Sequence, residues 1–285
     1  MLESYGDIME QINKNKKTFK LLLIIGVITI IPALILAFTM HQFMFLVFYP
    51  VLAVLGLALF YNFKIIKPFK ENIIPEILKN IDPNINYIPK PNREATKPLI
   101  NIIKQHKLIP SASTFNFSDC ITTSIKGYNL TSYDLHATHT QSNGKSSTTV
   151  TDFKGRIYDI EYPKLACDFL IKEETLKRIP NGYEFLELEH IESNKAFNIY
   201  VTDKVDAFKV FTPSVIKDYY ELAGIDSYKT ITHYHNHHLY VYVYNNKNIF
   251  ETITDDFETK IIEEYQEQHI CIEEYLNVFT YIELE

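Results

Sequence analysis

The sequence predicts an α+β protein, with an N-terminal two-helix transmembrane hairpin followed by a cytoplasmic domain of mainly antiparallel sheet and flanking helices. Three observations predict it. The 43 residues between Lys20 and Lys64 contain no Asp, Glu, Lys or Arg. From about Phe115 onward, apolar and polar residues alternate with the period of half-buried strands. Helical patterns precede and follow most of those strands, which is the order of an α+β domain. The chain accordingly divides into a cytoplasmic segment 1–20, a hairpin 21–61, a juxtamembrane helical segment 62–110 and a soluble α+β domain 111–285.

The hairpin consists of arms 21–40 and 43–61, joined by His41 and Gln42. At about 1.5 Å per residue each arm reaches roughly 30 Å, the thickness of bilayer hydrocarbon. Backbone polar groups in hydrocarbon must be satisfied within the segment, so both arms are expected to be helices. A two-residue connection makes them antiparallel. Lys14, Lys16, Lys17 and Lys20 precede the first arm, and Lys64, Lys67 and Lys70 follow the second. The positive-inside bias then puts both termini in the cytoplasm and His41 outside. Pro32 and Pro50 fall at similar depth and each can bend its helix. Ala33 and Ala37 on one arm, and Ala53, Gly56 and Ala58 on the other, permit close approach. The absence of Asp, Glu, Lys and Arg from both arms argues against a proton relay or an ion pathway built from this hairpin alone.

The first 20 residues hold four of the 28 basic residues and three of the 35 acidic ones, leaving 24 basic against 32 acidic in the remainder. An acidic domain argues against a nucleic-acid partner, which needs clustered Lys and Arg. Arg93, Arg156 and Arg178 are the only arginines, so bidentate anion clamps are scarce. Cys120, Cys167 and Cys271 are odd in number and far apart, and read as free thiols of a reducing compartment.

Beyond the hairpin, Ile65, Phe69, Ile73, Ile77 and Ile81 recur at helical spacing, interrupted by Pro68 and Pro75, which predicts one kinked or two short helices. A helix over 95–105 follows, with Pro98 in its first turn. Strands are expected over 121–125 and 130–135, with a turn at Gly127. Residues 138–149 are almost wholly polar and read as a mobile hairpin loop. Gly144-Lys-Ser lacks the first glycine and following helix of a phosphate loop. Further strands are expected over 153–160, 165–171, 185–189, 197–202 and 207–211, with a helix over 173–178 before Pro180-Asn-Gly182. Thr212 and Pro213 open a helix to Leu222, where Thr caps and Pro loses nothing in the first turn. Residues 228–235 and 238–244 form a strand pair, 249–254 follows a turn, and Asp255 or Asp256 caps a final helix to about Asn277.

Several segments now resemble a known family: Phe153-Lys-Gly155, Glu189-His190, Phe197-Asn-Ile-Tyr-Val-Thr-Asp203, Asp206-Ala-Phe-Lys-Val-Phe-Thr-Pro213, Leu239-Tyr-Val-Tyr-Val243 and Phe250-Glu251. Together they resemble a bacterial membrane family known as domain of unknown function 3137. The resemblance extends over most of the chain and implies two closely spaced membrane helices followed by a soluble α+β domain. It implies no activity and no catalytic residues. Ser193 stands where that family usually carries an aromatic, and Phe208 where it carries an Arg.

The densest group of metal-capable side chains is His233, His235, His237 and His238. On an extended strand the first three share a face with Cα atoms roughly 7 Å apart between neighbours. Asn236, however, falls at the turn, which breaks the alternation, so the group reads as a solvated strand end. Tyr240, Tyr242 and Tyr244 lie opposite Leu239, Val241 and Val243, and two apolar faces predict a central strand. Asp255 and Asp256 read as a helix cap, and Glu263 and Glu264 as a solvated face. The sequence therefore assigns no catalytic, cofactor-binding or metal residue, and no cofactor. It suggests an interaction or scaffolding module on the cytoplasmic face of the bacterial cell membrane. Its expected partners are the bilayer and a membrane protein. The alternative is an enzyme acting on a membrane-associated substrate through a pocket that the sequence does not reveal.

Overall fold

Helix α1 spans Tyr5–Thr39 and α2 spans Met44–Pro68. In the computed structural model the described residues are 5–39, 44–142, 144, 146–173, 179–188, 197–225, 229–245, 249–251, 253–254 and 256–280. They fall into two units, Met1–Ile77 and Leu78–Glu285, so the break lies inside the expected juxtamembrane segment. The two N-terminal helices run antiparallel: Asn15 Nδ2 donates to the Lys64 carbonyl at 3.4 Å, and Gly26 faces Val54. His41 and Gln42, and the side chains of Pro32, Ala33, Ala37 and Pro50, lie outside the described residues.

Among the described residues, one continuous helical stretch, Val51–Ile81, is long and apolar enough to cross a membrane. The interruption expected at Pro68 takes the form of a π turn, Phe69–Ile73, before α3 (Ile74–Ile81). Proline removes a backbone donor, and the wider turn absorbs the extra residue without ending the helix. Asn72 Nδ2 donates to the Pro68 carbonyl at 3.1 Å. Phe69, Ile73 and Ile77 of the predicted apolar face are buried.

The second unit is built on a nine-stranded antiparallel sheet. Its strands are β1 (Asn86–Ile88), β2 (Thr114–Ile125), β3 (Tyr128–Ser142), β4 (Ser147–Glu161), β5 (Phe169–Glu173), β6 (Glu184–Leu186), β7 (Phe197–Val201), β8 (Thr230–His235) and β9 (His238–Tyr244). Their spatial order is β1-β2-β3-β4-β9-β8-β5-β7-β6. Both edges are three-residue strands, which leaves little unpaired backbone to recruit another chain. Among the described residues, helices α4 (Arg93–Gln105), α5 (Lys204–Val210), α6 (Pro213–Ile225) and α7 (Phe257–Thr280) belong to the same unit.

Strand alternation sends two apolar sets to opposite faces. Phe169, Ile171, Tyr234, Leu239 and Val241 pack in one core with Val210, Val215, Tyr275 and Phe279 from α5, α6 and α7. Leu170, Tyr200, Ile231, Tyr240 and Tyr242 pack in the other with Leu99 and Ile103 of α4. Strand β9 lies between β4 and β8 and is covered on both sides, as its tyrosine and aliphatic faces predict.

Four expectations are corrected. Much of 138–149 is strand and not loop: Thr138–Ser142 pairs with Ser147–Thr151, and most of these side chains are exposed, so no apolar residue is needed. Residues 207–211 are not a strand but mostly helix α5. The Asp203 side chain accepts from the N–H groups of Val205 at 2.8 Å and Asp206 at 3.0 Å, and this cap starts the helix. Residues 249–251 form a 3-10 turn instead of a strand. Helix α4 starts at Arg93, capped by Asn92, which places Pro98 inside the helix beyond its first turn. Asp203→Ala is expected to cost about 1 kcal/mol, the usual worth of an N-cap, measured as a lowered urea midpoint.

Candidate functional site

Strands β8 and β9 are joined by Asn236 and His237, both with positive φ (50° and 65°), the geometry of a two-residue hairpin turn. The turn carries His237 off the strand and leaves it exposed. His233 and His235 stay on one face, two residues apart, with parallel rings 5.7 Å between centroids. The third imidazole comes from elsewhere. His106 is the C-cap of α4, its N–H bonded to the Ile102 carbonyl at 3.0 Å, and its ring lies 4.9 Å from that of His233 and 4.7 Å from that of His235. One ligand nitrogen from each of the three lies within 4.8 Å of the others.

The reading of a solvated strand end fails for His233, which is fully buried; His106 is buried as well, and His235 is half-buried. Two rings are fixed by neighbours. His235 Nδ1 meets the Asp168 carboxylate at 2.6 Å, and His233 Nε2 meets the Tyr183 hydroxyl at 3.0 Å. His106 Nδ1 and Nε2 and His233 Nδ1 are buried with no hydrogen-bond partner among the described residues. Burial holds the His233 imidazole well below its ordinary pKa, with His106 and His235 adding to the effect. Burial, then His235, also lowers His106, against an opposing pull from Asp168. Both rings therefore favour the neutral form near pH 7, the form that ligates a metal.

This has a pH consequence. With the folded pKa of His233 depressed below the ordinary 6.5, the unfolded chain takes up the proton first as pH falls through that value. Stability is then lost at about 1.4 kcal/mol per pH unit for each such proton. The urea midpoint is expected to fall from pH 7 to pH 5, with a shallower fall in His233→Phe. His238 opposes this: its hydrogen bond to Asp159 raises its pKa. Its contribution is fully present below about 6.5 and lost as pH rises through the folded value.

A second feature is a cleft of about 240 Å³ lined by Asp119, Asp134, His136, Lys154, Arg156 and Glu251 among others. Its arginine is engaged inward. Arg156 donates to Asp134 at 2.8 Å, to Ser132 Oγ at 3.2 and 3.0 Å, and to the Asp119 carbonyl at 3.0 Å. Of the other residues singled out in the sequence, Asp256 pairs with Lys260 at 2.9 Å, Glu264 accepts from Gln268, and Asp255 lies outside the described residues. Cys120 and Cys167 are buried free thiols; burial raises both, Cys167 to about 12, so neither is an activated nucleophile.

Asp168, Tyr183, His233 and His235 all fall within one stretch that matches a family. Residues 145–281 match the family "Protein of unknown function (DUF3137)". No curated protein and no solved structure matches the chain. The DUF3137 match starts later than the expected resemblance over most of the chain: it leaves out α1 to α4 and β1 to β3, and with them His106. Within the DUF3137 region, Phe153-Lys-Gly155 lies in β4, residues 197–201 are β7, and residues 239–243 lie in β9. Phe208 is 63% exposed on α5. Glu189, His190 and Ser193 lie outside the described residues.

Proposed function

We propose that this protein is a membrane-tethered module of the bacterial cell membrane. Residues 21–40 and 43–61 cross the bilayer as a helical hairpin with both ends in the cytoplasm, and the DUF3137-containing domain acts there as an interaction or scaffolding module. One observation carries the reading. Leu21, Ile24, Val27 and Ile28 of α1, and Leu52, Leu59 and Phe63 of α2, are each more than half exposed over a run that has no charged side chain. Burying one such side chain is worth about 1.5–3 kcal/mol, so water is a poor solvent for this belt and hydrocarbon a good one. Lysines at both ends of the run suit the cytoplasmic side, and an acidic domain is kept off anionic headgroups.

A membrane-impermeant maleimide applied to intact cells should label His41→Cys and leave Ser4→Cys unlabelled, with Cys271 changed to Ala. Labelling of residue 4 from outside, or none at 41, overturns the topology. Capture in mild detergent should recover a defined membrane-protein partner, whereas recovery of the protein alone counts against scaffolding. A second reading, an enzyme on a membrane-associated substrate, draws its support from the three converging imidazoles.

A further inference from the structure

We propose that His106, His233 and His235 bind a divalent transition-metal ion, best Zn²⁺, as a three-imidazole site that brings the end of α4 to the face of β8. The ligand nitrogens lie within 4.8 Å of one another. A tetrahedral ion with Zn–N of 2.0–2.1 Å puts its ligands roughly 3.3 Å apart, so closure takes a contraction of up to about 1.5 Å on binding. Buried polar atoms are nearly always satisfied in folded proteins. Here three imidazole nitrogens of two buried histidines, His106 and His233, have no hydrogen-bond partner among the described residues. A cation between the rings takes His233 Nδ1 and one of the two His106 nitrogens.

The neighbours are arranged as metal sites require. Asp168 holds His235 by Nδ1 and leaves Nε2, and Tyr183 holds His233 by Nε2 and leaves Nδ1. A carboxylate behind a ligating imidazole fixes the ring and makes it a stronger ligand. The Asp168 backbone is itself tied to Thr202, its N–H donating to Oγ1 at 3.2 Å. Register supports the pairing, since Phe169 opposite Tyr234 sets Asp168 beside His235. The donor set names the class of ion. Three neutral nitrogens with no carboxylate among them suit Zn²⁺, Co²⁺, Ni²⁺ or Cu²⁺ and not the oxygen-seeking Ca²⁺ or Mg²⁺. Three protein ligands leave a fourth position for water or another small ligand.

The test uses the full chain in mild detergent, stripped of metal, and does not depend on the membrane reading. One equivalent of Co²⁺ is expected to give the visible absorption of tetrahedral cobalt, bleached by Zn²⁺, and Zn²⁺ should raise Tm. His106→Phe, which fills the buried space, and His235→Ala are each expected to abolish the absorption and weaken Zn²⁺ binding at least about 100-fold. Asp168→Asn should keep the absorption and weaken binding about 10–100-fold, the range for a residue behind a ligand. His237→Ala, on the exposed turn, should change nothing. A Tm measured without metal shows that each variant is folded. Absence of cobalt absorption in the unaltered chain, or His237→Ala matching His235→Ala, overturns the proposal, as does full Zn²⁺ affinity in folded His106→Phe.

Discussion

Gly155→Ala is expected to break the pairing of β4 with β9 and to lower stability by about 3 kcal/mol or more, at or beyond the top of the usual range for overpacking. A Cβ at this position would lie 2.0 Å from the Val243 carbonyl oxygen, 2.8 Å from the Asn245 nitrogen and 3.0 Å from the Tyr244 Cα. All three are backbone atoms, so no side-chain rotation relieves the clash. A glycine inside a strand marks such a close approach. The position is also critical, because β4–β9 is the one junction joining β1–β4 to the other five strands. Far-UV circular dichroism and a urea titration check it. An unchanged midpoint would contradict the packing described here.

Arg156→Met should cost about 3–5 kcal/mol, the range for removing one partner of a buried ion pair. The guanidinium is buried and donates to Ser132, Asp134 and the Asp119 carbonyl. It also stands beside the Asp119 carboxylate, which is 2% exposed and hydrogen-bonded to the Tyr87 hydroxyl. Removing the cation leaves that carboxylate in a low-dielectric site without its neighbouring positive charge. Asp134→Asn should cost less, since the Asp134 side chain is 33% exposed and water can replace part of the interaction. The two urea midpoints, compared with that of the unaltered chain, test the ordering.

Much of the fold was legible because its signals are local. The charge-free run, the β8–β9 pair and the two-faced strand β9 each follow from residues adjacent in the chain. Helix α5 was missed because Ala207-Phe-Lys-Val-Phe211 is too short a run to show a period and is rich in aromatic and β-branched residues, so the Asp203 cap decides. The polar ladder of 138–142 with 147–151 was missed because strands whose side chains are mostly exposed need no hydrophobic alternation. Half of the histidine site was readable, in that His233 and His235 share a face and Asn236 marks the turn. The other half was not. His106 lies 127 residues before His233, and only the packing of α4 on the sheet brings it there. Burial of His233 follows from the position of β8 between β5 and β9, which no pattern within the histidine cluster conveys.

Membrane tethering through the exposed apolar belt of α1 and α2 is tested most directly by fractionation. The full-length chain, expressed and lysed without detergent, should sediment with membranes, stay there through an alkaline carbonate wash, and dissolve only when detergent is added. Full-length protein in the high-speed supernatant of such a lysate would contradict it.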